Sequence, residues 1–132
     1  MKKRITILIA LLILLSLCLS GCEKYVSHYS ATAFVHSNES DHAFMNFWKF
    51  EGRMVFKLKC KNADETLAWS AKLETGSATV YYDNGGEKTE LCAVSAGDDL
   101  QDSLGKLTPG TIYIIVETDG NCETGNFDFK IE

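Results

Sequence analysis

The sequence predicts an all-β fold, an antiparallel β-sandwich of seven to eight strands carried on an N-terminal tether. Three observations lead there. From Ala43 onward apolar residues recur with period two, the signature of strands with one face on a core. Turn signals such as Asn84-Gly85, Pro109-Gly110 and Asp119-Gly120 separate the runs. No segment beyond the leader offers a convincing helix. A small barrel is the alternative closure of the same strands.

The chain opens with Met1-Lys2-Lys3-Arg4, followed by the uncharged run Ile5 to Leu19. A basic start and a short apolar stretch read as an export signal over residues 1–21. A spanning helix needs roughly 20 apolar residues, more than this run supplies. The run ends in Leu19-Ser20-Gly21-Cys22. That tetrapeptide resembles the lipobox of bacterial lipoproteins. The resemblance implies diacylglycerol transfer to the Cys22 thiol and cleavage before it. Each buried methylene contributes about 0.8 kcal/mol, so two or three acyl chains anchor stably where one does not. The expectation is a lipid-anchored domain on the outer face of the cell membrane, with no cofactor.

Residues 22–42 are expected to be the lipidated cysteine and a tether or edge segment, with a short strand within Ala31 to His36. The sandwich domain is expected over 43–132. Its first strand, from Ala43, is apolar on both parities: Phe44, Trp48 and Phe50 on one, Met45 and Phe47 on the other. Such a strand is ordinarily central in its sheet or covered on both sides. Glu51-Gly52 breaks the run. Met54, Phe56, Leu58 and Cys60 then alternate with Val55, Lys57, Lys59 and Lys61. Leu67, Trp69, Ala71 and Leu73 follow, with Gly76 as the next break. Ala78, Val80 and Tyr82 lead into Asn84-Gly85, read as a two-residue hairpin turn placing Val80 opposite Thr89 and Ala78 opposite Leu91, with Cys92 on the other face. Residues 96–108 read as a loop. Thr111 to Thr118 is β-prone and apolar on both parities, hence a central buried strand. Asp119-Gly120-Asn121 begins a turn, and Phe127, Phe129 and Ile131 close the domain.

Three of the 13 basic residues and none of the 18 acidic ones lie in the leader, leaving ten against 18 and a net charge of −8. An acidic domain repels phosphate backbones, so nucleic acid is not the expected partner. Beyond Cys22 remain Cys60, Cys92 and Cys122, an odd number with no CxxC spacing. Cys60 shares the parity of Phe56 and Leu58 and is expected as a buried free thiol. Cys92 and Cys122 are the one plausible pair, expected to stay unbridged because nothing in the register brings them together. No GxSxG, P-loop or HExxH motif occurs. His28, His36 and His42 are spaced by eight and six residues, which suits no helical zinc site. Asp119, Asn121 and Glu123, and likewise Asp98, Asp99 and Asp102, are weak candidates for a calcium loop; turn chemistry explains them as well. Lys57, Lys59 and Lys61, with Arg53 and Lys72 across the hairpin, form a basic strip that would suit anionic headgroups or simply a solvated face. Tyr81 falls on the outward parity and is the aromatic nominated for a binding surface.

The run Leu107 to Glu117, with Gly125 to Ile131 and the earlier Gly76 to Asp83, resembles the end of a bacterial pre-peptidase C-terminal domain. The resemblance covers roughly residues 73–132 and implies a jelly-roll-like sandwich. Taken together these readings lead to a non-catalytic binding or interaction module engaging an envelope protein or glycan. An envelope hydrolase and an immunity-type protective lipoprotein are the alternatives.

Overall fold

A computed structural model describes residues 24–132; the leader expected over 1–21 and the lipidation cysteine Cys22 lie outside them. The described residues form an all-β, antiparallel sandwich of seven strands: β1 (His28–Thr32), β2 (Val35–Asn38), β3 (His42–Cys60), β4 (Leu67–Asp83), β5 (Thr89–Ser95), β6 (Asp99–Leu104) and β7 (Gly110–Ile131). The strand order is β1-β3-β7-β4-β5, with β2 also on β3 and β6 also on β4.

Three strands are far longer than any the sequence predicts. Each runs through a point read above as a break: Glu51-Gly52 in β3, Gly76 in β4 and Asp119-Gly120 in β7. These are bends. Gly52, Gly76 and Gly120 all have positive φ, and register shifts fall between Phe50 and Arg53 and between Thr75 and Ser77. A bulge adds a residue, bends its strand and swaps which parity faces inward. Hence the core residues of β3 are Ala43, Met45 and Phe47 before the bend, but Met54, Phe56, Leu58 and Cys60 after it. The three bends line up across the sheet and make one crease.

The creased sheet folds on itself into two layers. The front layer holds β2, residues 42–50 of β3, 122–131 of β7, 67–75 of β4, and β6. The back layer holds residues 53–60 of β3, 110–119 of β7, 77–83 of β4, and β5. β1 straddles the crease along β3, pairing with residues 49–53. Phe56 of the back layer meets Phe129 of the front layer with ring centroids 6.1 Å apart, although neither is the other's strand partner. Loops 61–66, 84–88 and 105–109 gather at the open end opposite the crease.

The free side of β3 in the back layer is blunted against edge pairing. The Val55 N–H donates to Ser27 Oγ, the Lys57 N–H to Asn38 Oδ1, and the Lys59 N–H to the Ser40 carbonyl.

Several local expectations are corrected. The β4–β5 connection is longer than a two-residue turn: Tyr82 pairs with Thr89, Val80 with Cys92 and Ala78 with Val94. The Asp83 carboxylate accepts from the Gly86 N–H and holds the wider loop. Cys92 therefore shares a face with core-lining Val80 and packs against the core. Residues 99–104 are β6, an edge strand secured by only Leu100 and Leu104, too few apolar residues to show as a period. Ala33, with φ of 49°, divides 28–38 into two strands where one was expected. The strand from Ala43 is central, between β2 and β7, but its outer side is not covered: Met45 and Phe47 are buried, whereas Trp48 is 54% exposed. Phe50 joins the core only through the bulge.

Candidate functional site

Partners in an antiparallel pair share a face, so the registers lay out what each layer shows to solvent. On the outer front face, one row runs Val35, Asn46, Asn126, Lys72 and Asp99. The next runs Ser37, Phe44, Asp128, Ser70 and Gln101, and a third His42, Lys130, Ala68 and Ser103. Most of these side chains carry groups able to donate or accept hydrogen bonds. His42 Nε2 lies 2.9 Å from Asp128 Oδ2, which fixes both in the middle of the face. An open groove of about 390 Å³ follows β4, β6 and β7, lined among others by Ser70, Gln101, Ser103, Asp128 and Lys130. Along the β2–β3 side the face turns apolar. Trp48 stands out there with Lys49 Nζ 4.9 Å from its ring centroid, and Val35 is also exposed.

The outer back face is different. Its outward positions are Val55, Ile115, Tyr113 and Tyr81 in the middle, with Arg53 and Glu117 toward the crease. Ile115 points away from the sandwich core yet is 0% exposed. Residues 24–27 cross this face from β4 over β7 to β3. Tyr25 packs edge-on against Tyr113, its hydroxyl donates to Asp83 Oδ2 at 2.7 Å, and Ser27 receives the Val55 N–H. Lys24 Nζ lies 2.6 Å from the same Asp83 oxygen and donates to the Gly86 carbonyl.

Asp83 is 1% exposed, the one buried charged side chain among the described residues. Burial alone would raise its pKa. The hydrogen bonds from Lys24, Tyr25 and the Gly86 N–H, with the Lys24 charge, outweigh that and hold it at about 2. The same hydrogen bond to Asp83, with burial, pushes the Tyr25 hydroxyl up to about 12. Near the crease, burial works against the Glu117 carboxyl, but contacts with Lys88 and Arg53 hold it below its ordinary range.

The residues nominated from sequence are dispersed. Tyr81 lies on the back face, half-buried, with Lys88 Nζ 4.2 Å from its ring centroid. Lys57 and Lys59 are exposed on that face and Lys61 lies just beyond the strand end; Lys57 Nζ sits 5.8 Å from the Tyr113 ring. Lys72 does not extend this strip: it is in the front layer, paired with Asn126 and Asp99. Asp119, Asn121 and Glu123 lie at the crease within β7, not in a turn, with Asp119 beside Ser77 and Glu123 beside Thr75. Asp98 accepts from the Ser95 N–H and Asp102 from the Ser103 N–H, which is turn and strand chemistry. Among the described residues no three His, Cys, Asp or Glu side chains gather as metal ligands. Cys122 is not in a hairpin loop but buried in β7 opposite Phe50, where its thiol donates to the Ser77 carbonyl. Cys60 is buried as expected, its thiol pushed up by burial.

No protein-family model and no curated protein sequence matches the chain. Among solved structures, TmCBM61 in complex with beta-1,4-galactotriose is similar, with TM-score 0.50 and 17% identity over 86% of this chain and 92% of that one. PliG of Aeromonas hydrophila, a periplasmic lysozyme inhibitor of g-type lysozyme, superposes with TM-score 0.48 and 13% identity over 70% of this chain and 88% of that one. The first likeness carries the fold, an all-β sandwich.

Proposed function

We propose that this chain is a lipid-anchored, non-catalytic binding module displayed on the outer face of a bacterial cell membrane, and that its outer front face takes an oligosaccharide. One observation carries the ligand class. A five-stranded face lined by amide, hydroxyl and carboxylate side chains has an exposed indole, Trp48, at its margin. Sugars need both: hydrogen-bonding groups for the hydroxyls and a flat apolar ring for the C–H face. The galactotriose complex belongs to TmCBM61 and supports beginning with β-linked galactose oligomers. Anchoring rests on the leader and on Leu19-Ser20-Gly21-Cys22. The groove is open and lined by hydrogen-bonding side chains, which supports a binding surface.

The test is titration calorimetry of the leaderless Cys22→Ala protein against galactose, glucose and N-acetylhexosamine oligomers, with Trp48→Ala alongside. Saturable binding to one class, lost in Trp48→Ala, is the expected result. Binding that survives Trp48→Ala moves the site off this face. Binding to no oligomer overturns the sugar reading, and a pull-down from envelope extract then tests the exposed Val35 and Trp48 margin as a protein contact. Mass spectrometry of the full chain, with and without Cys22→Ala, tests the anchor separately.

A further inference from the structure

We infer that residues 24–27 are a strap that makes the sandwich stand on the bilayer with its open end down, loops 84–88 and 105–109 against the phospholipid headgroups. The inference rests on the proposed lipid at Cys22. The geometry starts from where the strap is tied. Lys24 is bound at the open end, to Asp83 and to the Gly86 carbonyl. Only Glu23 separates it from Cys22, so the backbone spacing between Lys24 and the lipidated residue is at most about 7 Å. From Lys24 the chain runs toward the crease, through Tyr25 on Tyr113 to Ser27 on Val55, before entering β1.

A free tether from Cys22 to Ser27 would reach about 17 Å and leave the domain to tumble. Three contacts on one buried carboxylate remove that freedom. Tyr25 and Lys24 hold one oxygen of Asp83, and the Gly86 N–H holds the other, so strap and loop 84–88 are bound through one group. The crease then lies about 30 Å farther from the membrane, the length of the back-layer segment of β7, residues 110–119. Exposed Lys59, Lys61 and Lys106 stand at the lower end, but so do Asp64, Glu65 and Glu87; charge alone would not orient the domain, and the strap does. The proposed sugar face, whose strands run along this axis, faces sideways over the membrane.

The experiment uses the full lipidated chain in vesicles of phosphatidylethanolamine and phosphatidylglycerol. In a Cys92→Ser background a donor dye is placed at Glu87→Cys in the open-end loop or at Ala96→Cys beside the crease, with the background protein labelled in parallel as the blank. Energy transfer to a headgroup acceptor is measured. Because the two sites differ in height by about 25 Å, transfer at 87 should exceed that at 96 by roughly threefold or more. In Lys24→Ala/Tyr25→Phe, whose fold is checked by its melting curve, the ratio should fall toward one. Equal transfer in the strapped protein overturns the inference, as does a ratio that survives loss of the strap. Intact mass separates the two failures: an unmodified Cys22 overturns the anchoring reading and this inference with it, whereas a modified Cys22 with equal transfer overturns this inference alone.

Discussion

The two outer faces of this sandwich are built on the same three strands and have opposite fates. On the back, the outward positions of β3, β7 and β4 carry Val55, Ile115, Tyr113 and Tyr81. On the front, the same strands beyond their bends carry Asn46, Asn126, Asp128 and Ser70. An apolar outer face costs free energy in water and must be covered. Residues 24–27 cross the back one, and Lys88 lies over Tyr81 beside it. The front one is polar enough to stay bare, and a bare polar face with one projecting indole can meet a ligand. Cover on one side and access on the other follow from which residues take the outward parity on each side of the crease.

The severest way to break this comparison is to remove the crease that both faces share. Gly52 has φ of 126°, and a Cβ there would overlap the His28 carbonyl oxygen and the Tyr29 backbone. Gly52→Val should therefore cost about 3 kcal/mol or more, from backbone strain and overlap together. Urea melts should show both layers lost in one transition. A variant as stable as the parent would mean that the bend in β3 is not what folds the sheet.

The same glycines show how far the sequence could be read. The all-β class, the antiparallel strands and most core residues were legible, because burial on one face imposes period two directly. The joins were not. A glycine with turn-forming neighbours marks positive φ, and positive φ serves a hairpin and a bulge equally well. Gly52, Gly76 and Gly120 were read as ends of strands, and they are bends within them. The parity swap was on display in Met45, Phe47 and Phe50, but it looks like a strand apolar on both sides. The candidate face was less legible still. Asn46, Asn126, Asp128 and Ser70 are ordinary outward residues in sequence and become a surface only through register. Asp83 stands in sequence only as the outward residue that ends a strand before Asn84-Gly85; nothing local ties it to Lys24 and Tyr25, 58 or more residues away. Ile115 made its strand look buried on both faces, correctly, but what passes over its outer face came from a stretch that reads as tether.

Removing the cover from one face alone is the next test. Asp83→Ala leaves Lys24, the Tyr25 hydroxyl and the Gly86 N–H without their acceptor and should cost about 2 kcal/mol, limited because Lys24 is half-exposed and can return to water. Hydrogen exchange should rise in residues 24–27 and around Ile115, with the front layer unchanged. If protection falls equally in both layers, the strap is not a separate unit.

Acidity and alkalinity should release the same strap without mutation. The Asp83 pKa lies below its unfolded value, at about 2, so its contribution is present above about pH 4 and is lost as pH falls toward 2. The Tyr25 pKa lies above its unfolded value, at about 12, so its contribution is full below about pH 10 and is lost as pH rises through 12. Exchange of the strap amides should thus be level between about pH 4 and 10 once corrected for intrinsic rates, and Asp83→Ala should abolish the acid limb. An acid limb that persists in the variant would assign it to another carboxyl.

The smallest expected change in stability carries the sharpest information about function. Trp48 is more than half exposed and outside the core cluster, so Trp48→Ala should shift stability by no more than about 0.5 kcal/mol. If its ring is the platform for a sugar, the same change should weaken oligosaccharide binding about tenfold or more, since aromatic anchors dominate such contacts and tenfold is only about 1.4 kcal/mol. Tyr81→Ala is the mirror experiment. It removes the ring under Lys88 and beside Ile115 on the covered face, so it should cost about 1 kcal/mol in stability and leave binding unchanged. The only other tryptophan, Trp69, packs against the core from the front layer, so in Trp69→Phe the fluorescence reports Trp48 alone and should respond to the oligosaccharide that calorimetry detects. Two aromatic side chains on opposite faces would then separate cover from contact. The reverse pattern, binding lost with Tyr81 and kept without Trp48, would place the ligand on the back face and require the strap to move aside for it.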